Sequence, residues 1–232
     1  DHGAKENGPP MFRVTVNFID HQDTTEMQMT MALPSLESAL QIQKHIKQAG
    51  GDATWDRLAE YLEKNTSNKD VFVINRSFEV PQEMMFDLWT DPKHFSEWLA
   101  PTGFKMKFLK DEIKEGCSTF YCMSNDTGLK MYGQASYQEI RKPNSLKYTQ
   151  WFCDENQNIS RHPMAPTWPE KMLTKVTFTS EAAKQTRVTI EWQTYGPCSQ
   201  EELTTFINGR AGMTMGWTGS FDKLESYIKS IK

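Results

Sequence analysis

The chain has 232 residues, 38% hydrophobic, 12% aromatic and 24% charged, a mixture that builds a core and excludes wholesale disorder. Its 26 basic and 30 acidic residues leave a formal charge of -4. That balance argues against a nucleic-acid binder, and no run of about 18 apolar residues offers a membrane span.

The first residues, 1–10, are polar and rich in Gly and Pro, and read as a loop or tail. The chain opens on Asp1 with no apolar signal-peptide core, so it is expected to have been processed or to belong to a longer protein. Residues 12–18 and 27–31 alternate apolar and polar side chains around a polar turn at 20–24, which predicts a β-hairpin. Pro34-Ser35 opens a helix, with Ser35 as N-cap, that runs to Lys64 past a soft spot at Gly50-Gly51. Residues 65–70 read as a linker.

A fuller set follows. A strand is predicted at 71–80, a helix from Pro81 carrying Met84, Met85, Leu88 and Trp89, and a short helical turn over 92–100. Strands are predicted near 104–113, 119–123, 129–140 and 146–153, with turns at 115–116, 125–128 and 142–144. A polar, proline-rich loop occupies 154–169, a second hairpin 172–179 and 186–194, and one long helix 199–232. A strongly twisted antiparallel sheet wrapped around that helix encloses a cavity. The helix contains Gly209, Gly212, Gly216 and Gly219, each costing about 1 kcal/mol relative to Ala, which predicts close packing or a bend that leaves space.

The order hairpin, Pro, long helix occurs twice. Trp55-Asp56-Arg57-Leu58 matches Phe221-Asp222-Lys223-Leu224, Gly50 falls opposite Gly216, Arg13-Val14-Thr15-Val16 matches Lys175-Val176-Thr177-Phe178, and Pro34 falls opposite Pro197. Residues 1–64 therefore read as the β-β-α back half of a unit whose complete form is 71–232, joined by the 65–70 linker. Two strands and a helix bury too little to fold alone. The half copy is expected to need a neighbour, through a homodimer or exchange with a second chain. The offset predicts a tandem parent of about 320 residues, with about 90 of them upstream.

The four cysteines, Cys117, Cys122, Cys153 and Cys198, form no C-x-x-C pair and no zinc-spaced set, and read as reduced, buried thiols of a cytoplasmic protein. No phosphate loop, dinucleotide fingerprint, nucleophile elbow or metal cluster is present, so no catalytic residue, metal or cofactor is assigned. Gly209-Arg210-Ala211-Gly212 is placed mid-helix. His162 in the proline-rich loop and His94 are the candidate general bases, and neither has a partner at fixed spacing. Asp87, Asp91 and Glu97 read as caps and solvated charges, while Glu139 is placed to fix a sheet edge or face Arg141.

Residues 78–98, F-E-V-P-Q-E-M-M-F-D-L-W-T-D-P-K-H-F-S-E-W, resemble the opening of the SRPBCC (START-like, helix-grip) superfamily. Three further motifs are similar to one branch of it, the activator of heat shock protein 90 ATPase homologue family in its C-terminal-domain-like form. They are Tyr137-Gln138-Glu139-Ile140 with Tyr148-Thr149, the loop His162-Pro163-Met164-Ala165-Pro166-Thr167-Trp168-Pro169, and Gly216-Trp217 with Phe221-Asp222-Lys223-Leu224. The resemblance implies an α+β helix-grip fold, a twisted antiparallel sheet around a long C-terminal helix. It implies a non-enzymatic module that binds a hydrophobic or amphipathic small molecule. A chaperone-associated regulator and a polyketide cyclase or aromatase-like enzyme are the alternatives. Aromatics and Met make an adaptable apolar container. Its candidate lining is Phe86, Trp89, Phe95, Trp98, Tyr121, Tyr132, Tyr148, Trp151, Trp192, Phe206, Met213 and Trp217.

Overall fold

The structure, a computed structural model, describes residues 12–22, 25–48, 58, 62 and 70–232. The chain divides into two compact units, residues 1–54 and 55–232.

In the first unit, β1 (Arg13–Asp20) pairs antiparallel with β2 (Thr25–Ala32), in the register Val14↔Met31, Val16↔Met29 and Phe18↔Met27. The period-two alternation puts these apolar residues on one face. Ser35 caps α1 (Leu36–Gln48), its Oγ accepting the Ser38 amide at 3.1 Å. The expected tail at 1–10, the Gly50-Gly51 soft spot, the landmark at Trp55-Asp56-Arg57 and most of the linker lie outside the described residues.

The second unit runs β3 (Val71–Phe78), α2 (Gln82–Thr90), α3 (Pro92–Trp98), β4 (Phe104–Asp111), β5 (Ser118–Asn125), β6 (Lys130–Arg141), β7 (Ser145–Cys153), β8 (Met172–Ala182), β9 (Gln185–Thr194), α4 (Gln200–Asn208) and α5 (Arg210–Ile231). Its strands form one antiparallel sheet in the order β3-β9-β8-β7-β6-β5-β4. This is the α+β helix-grip architecture that the sequence predicts. Alternation decides which face is covered: Val176 and Phe178 of β8 and Val188 and Ile190 of β9 are buried, while Lys175 of β8 is exposed. The β5–β6 turn is set by Asn125, whose Oδ1 accepts from the Thr127 and Leu129 amides, and by Gly128 at φ +86°. The edge strand β4 exposes Lys105 and Lys107, which discourage pairing with another sheet.

Two local signals start the short helices. Pro92 follows the Asp91 cap, whose carboxylate accepts the Lys93 amide at 2.9 Å. Ser199 and Glu202 form a reciprocal capping box at the start of α4. The single helix expected over 199–232 is two helices. Gly209 separates them with ψ of -5°, and a Cβ there would stand 2.9 Å from Trp168 Cζ3. The indole occupies the room a side chain needs, so this contact requires glycine, and Gly209-Arg210 is a junction rather than mid-helix.

The core lies between the sheet and α2, α3 and α5. Met213, Trp217, Phe221, Leu224 and Ile228 make one buried stripe along α5 at helical spacing. Trp89, fully buried, is its centre: Trp98 is 4.6 Å away between ring centroids, Phe95 5.6 Å, Phe178 5.8 Å and Trp217 6.1 Å. The Trp98 indole donates to the Leu88 carbonyl at 3.0 Å, and Ser220 Oγ to the Leu99 carbonyl at 2.8 Å, which ties α2, α3 and α5 together. No helix among the described residues is long and apolar enough to cross a membrane.

Trp89→Ala is expected to destabilise the second unit by about 3–5 kcal/mol, because its ring neighbours come from three other elements, α3, β8 and α5, and cannot all collapse inward. Chemical denaturation followed by far-ultraviolet circular dichroism checks this, and a loss below about 1 kcal/mol contradicts the assignment of Trp89 as the packing centre.

Candidate functional site

The stripe on α5 changes size along its length. Phe221, Leu224 and Ile228 fill the space beneath the C-terminal half. Toward the N-terminus Gly212 and Gly216 flank Met213 and Trp217, and a side chain at either glycine would meet no atom within 4 Å. The sheet beneath is not filled from above there. A cavity of about 460 Å³ results, within the range of small-molecule sites.

The sheet supplies its floor through alternate positions of neighbouring strands. Tyr121 and Met123 come from β5, Met131 from β6, Tyr148, Gln150 and Phe152 from β7, Met172 from β8 and Trp192 from β9. Leu99 and Pro101, after α3, close one side. The proline-rich loop closes another with His162, Met164, Ala165, Trp168, Pro169 and Glu170. That loop is pinned to α4: Arg161 Nη1 donates to the Trp168 carbonyl at 2.7 Å and to Glu202 Oε1 at 2.5 Å, and the Thr167 and Thr205 hydroxyls meet at 2.8 Å. Trp168 also packs edge-on against Phe206, 5.8 Å away.

Of the twelve candidates from the sequence, Tyr121, Tyr132, Tyr148, Trp151, Trp192, Met213 and Trp217 border the cavity. Tyr132 and Trp151 do so one residue out of phase with Gly133 and Phe152, on the alternate set of strand positions. Phe86, Trp89, Phe95, Trp98 and Phe206 lie elsewhere, each at most 4% exposed. Phe86 and Trp89 pack on Phe178, Phe95 and Trp98 on Trp89, and Phe206 on Trp168, so neighbouring rings fill the space around them. Met123, Met131, Met172 and Phe152 were absent from the candidates. The signal existed: Met123 lies two residues from Tyr121 on one strand, and Met131 is its cross-strand partner.

Tyr121 has a particular seat. It pairs with Gly133, and a Cβ at Gly133 would stand 2.5 Å from the Tyr121 Cζ and hydroxyl oxygen. Only glycine leaves the phenol room to lie across β6. Burial pushes the phenols of Tyr121, Tyr137 and Tyr148 well above their usual range, with the neighbouring phenols adding to it at Tyr137 and Tyr148. Trp192 and Trp217 meet at 5.5 Å in an edge-to-face contact, and each indole N–H lacks an acceptor among the described residues.

The two candidate bases separate. His162 borders the cavity, its Nδ1 accepts the Met164 amide at 3.1 Å, and its ring stands edge-on to Phe152 at 5.0 Å. Burial pulls its pKa down, so the ring is neutral at pH 7 with its proton on Nε2. His94 instead bonds the Tyr227 hydroxyl at 2.7 Å, joining α3 to α5. Glu139 does face Arg141, at 2.8 Å and exposed. Among the described residues no group of His, Cys, Asp and Glu is placed to hold a metal. All four cysteines are free, and only Cys153 is buried; Cys117 and Cys122 are half-buried and Cys198 is exposed, because it falls in the loop before α4.

The family model described as Activator of Hsp90 ATPase homolog 1-like protein matches residues 79–229. Among solved structures, a protein from Mycobacterium smegmatis is 20% identical, with a TM-score of 0.56 over 68% of this chain and 90% of its own. A protein from Arthrobacter aurescens is 20% identical, with a TM-score of 0.59 over 70% of this chain and 87% of its own. An AHSA1 protein from Silicibacter pomeroyi is 18% identical, with a TM-score of 0.52 over 70% of this chain and 99% of its own. At these identities the likeness is one of fold. No curated protein matches the chain.

The raised phenol pKa values make stability fall at high pH. Below about pH 10 the tyrosines are protonated in both the folded and the unfolded chain. Above it the unfolded chain releases protons that Tyr121, Tyr137 and Tyr148 still hold when folded, so stability declines as pH rises. Urea midpoints measured across that range, with phenolate absorbance in parallel, should show the decline and fewer than the full 7 phenolates before unfolding. Full titration in a still-folded protein contradicts the burial of these rings.

Proposed function

We propose that this chain, which belongs to the Activator of Hsp90 ATPase homolog 1-like family, uses its second unit as a non-enzymatic container for a hydrophobic or amphipathic small molecule. One observation carries the reading. Gly216, half-buried beside Trp217 on the helix that should close the core, faces open space above a floor of aromatic and Met side chains, and Gly212, one turn earlier, is exposed where it borders the same cavity. Glycine inside a helix costs about 1 kcal/mol relative to Ala. A stripe built only for packing would carry larger residues there, as the same helix does at Phe221 and Leu224.

The chemistry of the wall supports a container over a cyclase. Its titratable groups are Tyr121, Tyr132, Tyr148, His162 and Glu170, and among the described residues no two of them share a hydrogen bond or ion pair. General acid–base work needs such groups poised together around a reacting atom. The shared order of hairpin, proline and helix also supports the proposal that the first unit is a half copy of the same fold.

The test fills the space from inside. N-phenylnaphthylamine, an uncharged dye that brightens in apolar surroundings, is expected to bind the wild-type protein. Gly216→Leu should raise stability by up to about 1 kcal/mol, since it removes a helical glycine without a clash. It should weaken dye binding by roughly tenfold or more, because the new side chain takes the ligand's room. Equilibrium dye titration and thermal melting read the two effects. A folded Gly216→Leu protein that binds the dye as well as wild type would sink the container.

A further inference from the structure

The cavity wall is rich in hydrogen-bond donors and carries no cation. Among the described residues no Lys or Arg side chain lines it, and its carboxylate, Glu170, stands 3.8 Å from the Arg161 guanidinium. His162 adds no positive charge at neutral pH, because burial favours its uncharged ring. A carboxylate or phosphate drawn inside would lose its water and meet no counter-charge, a loss that apolar burial does not recover.

The donors lack partners. The indole N–H groups of Trp192 and Trp217 are buried and unpaired among the described residues, and an indole only donates. His162 has its Nδ1 occupied by the Met164 amide, which leaves Nε2–H as a donor. The Tyr121 hydroxyl, in the floor and held across Gly133, has no hydrogen bond among the described residues. Burial keeps the Tyr121 proton in place far above neutral pH, so this phenol remains a donor wherever the protein is folded. A buried donor such as either indole, left without an acceptor, is costly, and an occupant that supplies one recovers that cost; the half-buried Tyr121 hydroxyl offers its proton to the same occupant.

We infer, on the reading of the second unit as a container, that its occupant is an uncharged molecule that presents a hydrogen-bond acceptor to the Tyr121 hydroxyl. Trp192 and Trp217 give such a molecule flat apolar faces to lie against. Tyr121 is then the residue that selects among apolar ligands, because shape and greasiness alone do not distinguish a molecule with an acceptor from one without.

Three compounds that each carry two phenyl rings on one carbon test this by displacing N-phenylnaphthylamine from the wild-type protein. Benzophenone carries a carbonyl, diphenylmethane lacks it, and diphenylacetate carries a carboxylate. Benzophenone should compete about five- to tenfold better than diphenylmethane, the worth of one net hydrogen bond. Diphenylacetate should compete worst of the three. In Tyr121→Phe the benzophenone advantage over diphenylmethane should vanish, with each compound's competition read against the dye affinity measured for that same variant. The inference is overturned if benzophenone fails to compete, if diphenylacetate competes as well as benzophenone, or if the benzophenone advantage survives in Tyr121→Phe. If the dye itself does not bind wild-type protein, the container reading fails and this inference goes with it. The wild-type comparison stands without the variant, so a poorly folding Tyr121→Phe does not remove the test.

Discussion

The longest of the helices that cover the seven-stranded sheet is α5, and its side chains are not uniform in size. Where α5 presents Phe221, Leu224 and Ile228, the interior is filled to close packing. Where it presents Gly212 and Gly216, it is not. Trp217 stands at the change between the two regimes. On one side it lies parallel to Trp89, 6.1 Å away with 17° between the rings, and on the other it meets Trp192 edge-on at the cavity. The rest of the unit follows from that gradient. The packed end, centred on Trp89, supplies the cohesion, and the open end supplies room that a uniform stripe would have closed.

The open end keeps its shape through contacts that are mostly polar and peripheral. Arg161 bridges the Trp168 carbonyl and Glu202, and Glu202 is also the capping-box residue of α4. The same carboxylate side chain therefore starts a helix and holds the loop that covers the cavity. Half-exposed ion pairs of this kind add little to stability, with Arg161 39% exposed, but they fix geometry. The break at Gly209 belongs to the same arrangement. The missing side chain gives the Trp168 indole its place against the helix. The polar, proline-rich character of residues 154–169, which alone suggests only a long loop, is that of a cover whose apolar side chains turn inward at Ala165 and Trp168, while Met164 is exposed.

The elements of the second unit were legible because each has a local cause. Alternation marks β8 and β9, Pro92 after Asp91 marks α3, and the Asn125–Gly128 sequence marks a turn whose side chain closes it. The motifs at 78–98 and 216–224 carried the family, and the match over 79–229 rests on the same stretch. The need for glycine at 209 was not legible, because its reason is an indole 41 residues earlier in the chain. Aromatic content pointed equally to Trp89 and Trp192, although one fills the core and the other lines the cavity.

The sequence by itself determined the strands, the turns and the helix starts, since these depend on neighbours within a few residues and on periodicity, and the helix-grip class through the family resemblance of its motifs. It also determined that an aromatic and Met-rich interior would exist. The tertiary structure decided which part of that interior is empty. Whether Tyr121 or Phe95 borders open space depends on what faces it across the core: nothing from Gly212 or Gly216 in one place, Trp98 and Phe108 in the other. That is a property of pairs of residues distant in the chain, and no single residue carries it.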